Sequence, residues 1–138
     1  MDTSGIAEAV EAAKNSEVAV IFGGSASAAL ARDYKSSTCG EGFDLNDLNL
    51  TGAQSQLIRE VYRTGTPVIL VLVTGKPFVI EWEKNNLPAI LVQWYAGEQA
   101  GNSIADILFG EVVPSGRLTF SFPVSYTHLR AHETPEHL

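Results

Sequence analysis

Pro67-Val68-Ile69-Leu70-Val71-Leu72-Val73-Thr74-Gly75-Lys76-Pro77 is an apolar run between two prolines, closed by a Gly-Lys turn. A run this short and this rich in β-branched side chains reads as a strand covered on both faces, as strands of parallel sheets are. The segment before it has a different period. Gln54, Leu57, Ile58 and Val61 fall on one helical face, Thr51 stands ahead of Gln54 at capping-box spacing, and Gly65 supplies a stop. After Lys76-Pro77, residues 78–84 are ambiguous and compatible with a short helix. Ala89-Ile90-Leu91-Val92-Gln93-Trp94, introduced by Pro88, repeats the strand pattern. Gly97 then opens a helix in which Ala100, Ile104, Ile107 and Leu108 share a face until Gly110, with Glu98 in its first turn. Toward the N-terminus, residues 5–15 carry Ile6, Val10 and Ala13 at helical spacing, and Val18 to Phe22 reads as another strand buried on both faces. Leu118, Phe120 and Phe122 alternate with polar residues, as in a half-exposed strand.

Apolar strands separated by amphipathic helices specify βαβ units. The expected fold class is α/β, a three-layer sandwich around a mainly parallel, flavodoxin-like sheet that is incomplete. Ligands of such sheets bind beyond the carboxyl ends of the strands. The long polar stretch from Ser25 to Asn49 leaves from one of those ends.

Composition narrows the function classes. The chain has 138 residues, enough for one ordinary domain. Its net charge of −7 and its scattered lysines and arginines argue against a nucleic-acid partner, which needs clustered positive charge. No apolar run approaches the ~20 residues that cross a bilayer, so no membrane partner is expected. Residues 1–5 lack a signal-peptide pattern, which leaves the compartment of a longer parent open. Cys39 is the only cysteine, so neither an internal disulfide nor a cysteine zinc cluster can form.

From Tyr126 onward periodicity disappears, and the chain's three histidines, His128, His132 and His137, all lie there. Val124 to Thr134 looks like one reading frame of a transposase adapter used for sequencing libraries. The natural sequence is therefore expected to stop near Pro123, with residues 124–138 a non-native tail. Setting the tail aside removes every histidine, and with it Ser-His-Asp catalysis and histidine metal sites. No metal and no cofactor are expected.

Two glycine-rich stretches invite comparison with phosphate cradles. Gly23-Gly24-Ser25-Ala26-Ser27 lacks the spaced third glycine of a dinucleotide loop. Val73-Thr74-Gly75-Lys76-Pro77 lacks the upstream glycine of a P-loop and has proline where a hydroxyl should hold magnesium. Plain strand-to-loop turns explain both. A rival function, a non-catalytic α/β module binding a nucleotide or small metabolite, would have to rely on them. The stronger constellation is Ser36-Ser37-Thr38-Cys39-Gly40-Glu41-Gly42-Phe43-Asp44. A glutamate between two glycines has little steric crowding and a permissive backbone. That suits a carboxyl presented to a bulky substrate at a loop tip, and it equally suits a charged exposed turn.

Gly40-Glu41-Gly42-Phe43-Asp44, followed by Leu48-Asn49-Leu50-Thr51-Gly52-Ala53-Gln54, resembles the acid/base loop of family 3 glycoside hydrolases and the helix start behind it. The resemblance continues in order through Pro67 to Pro77 and through Gln93-Trp94-Tyr95-Ala96-Gly97-Glu98-Gln99-Ala100-Gly101. It ends with Ala105 to Gly110 and Pro114-Ser115-Gly116-Arg117-Leu118-Thr119-Phe120-Ser121-Phe122-Pro123. It implies that residues 1–123 are part of the C-terminal α/β sandwich domain of a retaining β-glycosidase acting on terminal β-linked sugars, β-glucosides foremost. It implies Glu41 as the acid/base carboxyl, and an aspartate nucleophile on a (β/α)8 barrel that this chain does not contain. Arg32 and Asp44 are candidate substrate-binding residues in the same stretch, Asp44 alternatively bracing the loop; Trp94 is expected to pack rather than bind sugar. With one carboxyl of two, the isolated chain is expected to be inactive on its β-linked glycoside substrate.

Overall fold

A computed structural model describes residues 2–27, 37–40 and 47–124 of the chain. Helix α1 (Ile6–Lys14) leads to strand β1 (Ala19–Gly24), and helix α2 (Gln54–Tyr62) to β2 (Val68–Val73). Helix α3 (Glu81–Asn86), β3 (Ala89–Val92) and α4 (Ala100–Leu108) follow. The three strands form one parallel sheet in the order β1-β2-β3, with Gly24 beside Val73 and Leu72 beside Val92. Their carboxyl ends therefore share one edge of the molecule. The α/β class and the parallel sheet read from the sequence are what the structure shows.

β2 is central because its sequence tolerates burial everywhere. Val68, Leu70, Val71 and Leu72 are wholly buried. Val68, Leu70 and Leu72 join Ala13 of α1, Ile58 and Val61 of α2, and Phe78 in one apolar cluster. Val71, on the alternate face, stands outside it. The seam between α1 and the β2 approach is fixed by Thr66, whose hydroxyl donates to the Ala13 carbonyl at 2.8 Å.

Four expectations need correction. β1 is not buried on both faces: Val20 and Phe22 are exposed, because this strand has a neighbour on one side only among the described residues. Thr51 and Gln54 do not form a capping box. Helix α2 is preceded by Ala53 with no side-chain cap, since the Gln54 amide is engaged by β1. Glu98 lies ahead of α4, which begins at Ala100, so no acid occupies its first turn. Residues 118–122 form no strand; the alternation is present, but no partner among the described residues offers a ladder.

Candidate functional site

The carboxyl ends of the three strands are joined by side-chain hydrogen bonds. The Gln54 amide clasps Gly24 on both sides, accepting from its N–H at 2.7 Å and donating to its carbonyl at 2.9 Å. Its nitrogen also donates to Thr51 Oγ1 at 3.0 Å. Gly24 adopts φ +144°, and a methyl there would lie 1.9 Å from the Val73 carbonyl oxygen. Only glycine lets β1 approach β2 this closely.

Beyond Gly24, three hydroxyls from the three strand ends converge. Ser25 Oγ lies 2.9 Å from Thr74 Oγ1 and 3.0 Å from the Tyr95 hydroxyl. Tyr95 donates to the Ser25 carbonyl at 2.9 Å, and Thr74 donates to the Lys76 carbonyl at 2.9 Å while accepting from the Lys76 N–H at 3.1 Å. Both Tyr95 and Thr74 have thus committed their protons, which leaves the Ser25 proton to be shared between them. Trp94, just before Tyr95, has φ +57°. This left-handed residue turns the chain out of β3, and the Trp94 ring packs edge-on against Phe120 at 5.3 Å, the packing role anticipated for it.

The proposed acid/base residue Glu41, and the candidate substrate residues Arg32 and Asp44, lie outside the described residues. The residues on either side of 41–46 are placed. On the upstream side, Ala26 and Thr38 are zipped together: the Ala26 N–H donates to Thr38 Oγ1, and the Thr38 N–H donates to the Ala26 carbonyl, each at 2.9 Å. Ser37 Oγ adds a bond to the same carbonyl at 3.2 Å. Gly40, immediately before Glu41, takes φ +84°, a geometry that explains the glycine at this position. On the downstream side, the Val79 N–H donates to the Leu48 carbonyl at 2.8 Å and Leu50 is buried. The upstream flank is thus fastened to the segment leaving β1, and the downstream flank to the connection between β2 and α3.

Lys76 was weighed in the sequence only as a weak phosphate lysine. Its side chain is instead folded inward, 7% exposed, with the ammonium 5.0 Å above the Phe78 ring and 3.4 Å from the Asp47 carbonyl. Burial pulls its pKa below the ordinary lysine value, while the nearby Asp47 and Cys39 push it back up. A lysine so occupied is poorly placed to grip a nucleotide. Among the described residues no cluster of histidine, cysteine and acidic side chains has the makings of a metal site, and no helix is long and apolar enough to cross a membrane.

The sequence matches the family described as glycosyl hydrolase family 3 C-terminal domain over residues 2–137. It is 44% identical over 119 residues to a β-xylosidase of Formosa agariphila, an alignment covering 86% of this chain and 15% of that protein. It is 41% identical over 124 residues to a β-glucosidase of Rhizobium radiobacter, covering 90% and 14% respectively. The fold superimposes on the β-glucosidase of Kluyveromyces marxianus crystallised with glucose, with a TM-score of 0.73 at 31% identity, covering 90% of this chain and 14% of that one. The chain thus spans about one seventh of the length of these relatives.

Proposed function

This chain belongs to glycosyl hydrolase family 3 as a C-terminal-domain sequence, and from that premise we propose that it supplies the acid/base half of a retaining β-glycosidase. Glu41 is the group that protonates the leaving glycosidic oxygen and then takes a proton from the incoming water. The nucleophile comes from a barrel domain elsewhere in a longer polypeptide, with the two carboxyls ~5–5.5 Å apart as a double displacement requires. The carboxylate opposite would raise the Glu41 pKa, keeping it protonated for the first step. β-Glucosides are the substrates of first choice, and Arg32 and Asp44 border the sugar. Residues 1–123 carry this role, and residues 124–138 are foreign to it.

The observation that carries this reading is the double anchoring of the segment holding Glu41. Its upstream flank is tied to Ala26, just after the carboxyl end of β1, where parallel sheets present their ligands, its downstream flank to Val79 in the connection from β2 to α3, and Gly40 adopts the left-handed turn just before residue 41.

The test is Glu41→Gln in the parent enzyme. For an alkyl β-glucoside, kcat/KM should fall by about 10²–10⁴-fold, the usual contribution of a positioned general acid. For a dinitrophenyl β-glucoside, whose leaving group needs no proton, kcat/KM should change little. Azide, a nucleophile that needs no base, should restore turnover of the activated substrate. Equal losses on both substrates would remove Glu41 from the role. The 138-residue chain alone should turn over neither substrate, and measurable hydrolysis by it would refute the need for a second carboxyl.

A further inference from the structure

Successive residues of a strand turn their backbone groups to alternate sides, and in β1 the sides can be assigned. The Ala19 N–H donates to the Pro67 carbonyl at 2.9 Å and the Ser25 N–H to the Val73 carbonyl at 3.0 Å, so odd-numbered positions bond toward β2. Val18, Val20, Phe22 and Gly24 therefore turn their N–H and carbonyl groups the other way. On that side Gln54 takes both groups of Gly24, its amide standing where the peptide of a neighbouring strand would stand. Among the described residues β1 has no strand there, and Val20 and Phe22 have no such substitute. An open ladder of this kind is ready to pair with another strand. From Val18 to Gly24 it carries neither a charge nor a proline, the usual means of blunting an edge.

The packing around this edge suits one kind of occupant. Ala19 and Ile21 pack against the core, whereas Phe22 is 57% exposed, with Val18 and Val20 exposed beside it on the alternate face. Between α1 and β1 runs a groove of about 410 Å³, bordered by Ala9, Ala12 and Ser16 of α1 and reaching Leu57 and Val61 of α2. The small side chains of α1 leave it unfilled. Helix α2 packs across β1 and β2, and α1 packs on α2. Helices in contact stand about 8–10 Å apart, close to two strand spacings of about 4.8 Å. Helix α1 thus projects beyond β1 and covers the strip where one more strand would run. Both helices pack into the same core cluster, hence on one face of the sheet. With right-handed crossovers, β1 reaches β2 through α2, so a strand entering through α1 lies on the opposite side of β1 and parallel to it. The same overhang rejects a second copy, because a two-fold pairing of β1 with itself would carry the mate's α1 onto α2.

We propose that the open edge of β1 is a docking surface for one parallel strand, supplied by the part of the parent polypeptide that precedes α1. The strand bonds to the outward groups of Val18, Val20 and Phe22, stops at the Gln54 clasp on Gly24, and sinks alternate apolar side chains into the groove beside α1. The chain spans about one seventh of its relatives, which leaves a longer parent with the polypeptide to supply it. The proposal rests on that longer parent and not on the Glu41 assignment.

The experiment is site-resolved hydrogen exchange on the full-length parent enzyme, read at the amides of Val20, Ile21 and Phe22. Ile21 faces β2, opposite Leu70, and is the internal standard. In the parent, Val20 and Phe22 should exchange within about 10-fold of Ile21, as amides of an inner strand do. In the 138-residue chain alone they should exchange at least about 100-fold faster than Ile21; if that chain does not protect Ile21, the parent decides by itself. Ala12→Leu adds bulk to the groove. In the parent it should speed exchange at Val20 and Phe22, relative to Ile21, by about 10-fold or more, because an overfilled contact displaces the strand. Val20 and Phe22 exchanging more than about 10-fold faster than Ile21 in the wild-type parent would overturn the proposal. So would an Ala12→Leu parent whose rates at those two amides are unchanged. Protection in the isolated chain that grows with concentration, alongside a dimer in sedimentation, would give the edge to a second copy and overturn it as well. The substrate selectivity of Glu41→Gln is read separately, so either assignment can fail without the other.

Discussion

Replacing Thr74 by valine tests whether the strand ends are held by hydroxyl chemistry or by packing. The two side chains have nearly the same shape, and Thr74 is wholly buried, so valine fits without a cavity. What changes is the hydrogen bonding. The Lys76 N–H loses its acceptor at 3.1 Å, and an unsatisfied buried donor costs about 1–3 kcal/mol. The Lys76 carbonyl loses its donor at 2.9 Å, a net loss of about 0.5–1.5 kcal/mol. Ser25 loses one neighbour, but its proton can turn wholly to Tyr95 at 3.0 Å, so that loss is nearly free. The extra buried methyl returns about 0.8 kcal/mol. The balance is a destabilisation of about 2 kcal/mol. At about 2.1 cal/mol/K of unfolding entropy per residue, a chain of 138 residues should melt about 7 °C lower. Thr74→Ser is the control: it keeps the hydroxyl, gives up a methyl, and should cost about 1 kcal/mol. Equilibrium urea unfolding and calorimetry of both variants give the order. Should Thr74→Val prove as stable as the wild type, or more stable than Thr74→Ser, the hydroxyl does not fasten these strands.

Two further variants probe the same region. Gly24→Ala would bring a methyl to 1.9 Å from the Val73 carbonyl oxygen at φ +144°. It should cost more than about 3 kcal/mol, beyond the ~1–3 of backbone strain alone, whereas Gly110→Ala, at φ +82° in open space, should cost only about 1–2 kcal/mol; similar unfolding midpoints for the two would show that the β1–β2 approach has slack. The Lys76 pKa is lowered in the folded chain, so between that lowered value and the ordinary lysine value near 10.5 the unfolded state binds more protons and stability rises with pH. Wild type minus Lys76→Met should therefore show a stability difference that moves in favour of wild type as pH climbs through that alkaline window, and a flat or opposite trend in urea midpoints would contradict the burial seen.

Helices α1, α2 and α4 and strand β2 were legible because their periodicities agree with their burial, whereas the short α3 (Glu81–Asn86) carries too little pattern to decide. Val68 to Val73 could be nothing but an inner strand, and the face of Leu57, Ile58 and Val61 leaves little choice for α2. β1 misled because Val18, Val20 and Phe22 are as apolar as an inner strand, yet an apolar residue is free to lie exposed at a sheet edge. Gln54 misled in the opposite way: its spacing from Thr51 suited a local cap, but its amide found better partners thirty positions away at Gly24. Local pattern cannot see a tertiary competitor. The same limit hid the Ser25, Thr74 and Tyr95 cluster, whose members are scattered along the chain. A usable signal was present, since Ser25 and Thr74 follow directly on the ends of β1 and β2 and Tyr95 comes three residues after the end of β3. Lys76 was noticed for the wrong reason, because a Gly-Lys after a strand suggests phosphate, and only its inward course reveals the neighbour it serves. Glu41 came from an ordered series of motifs, for one Gly-Glu-Gly alone decides nothing.

The separate moorings of Thr38 on Ala26 and of Leu48 on Val79 have an evolutionary corollary. Each bridgehead stands on its own pier, so the span between them can be re-cut without disturbing the sheet. Lengthening such an arc raises its closure entropy only logarithmically, by about 0.6 kcal/mol for each doubling. Changes of length should therefore be tolerated more readily between the two moorings than within either of them.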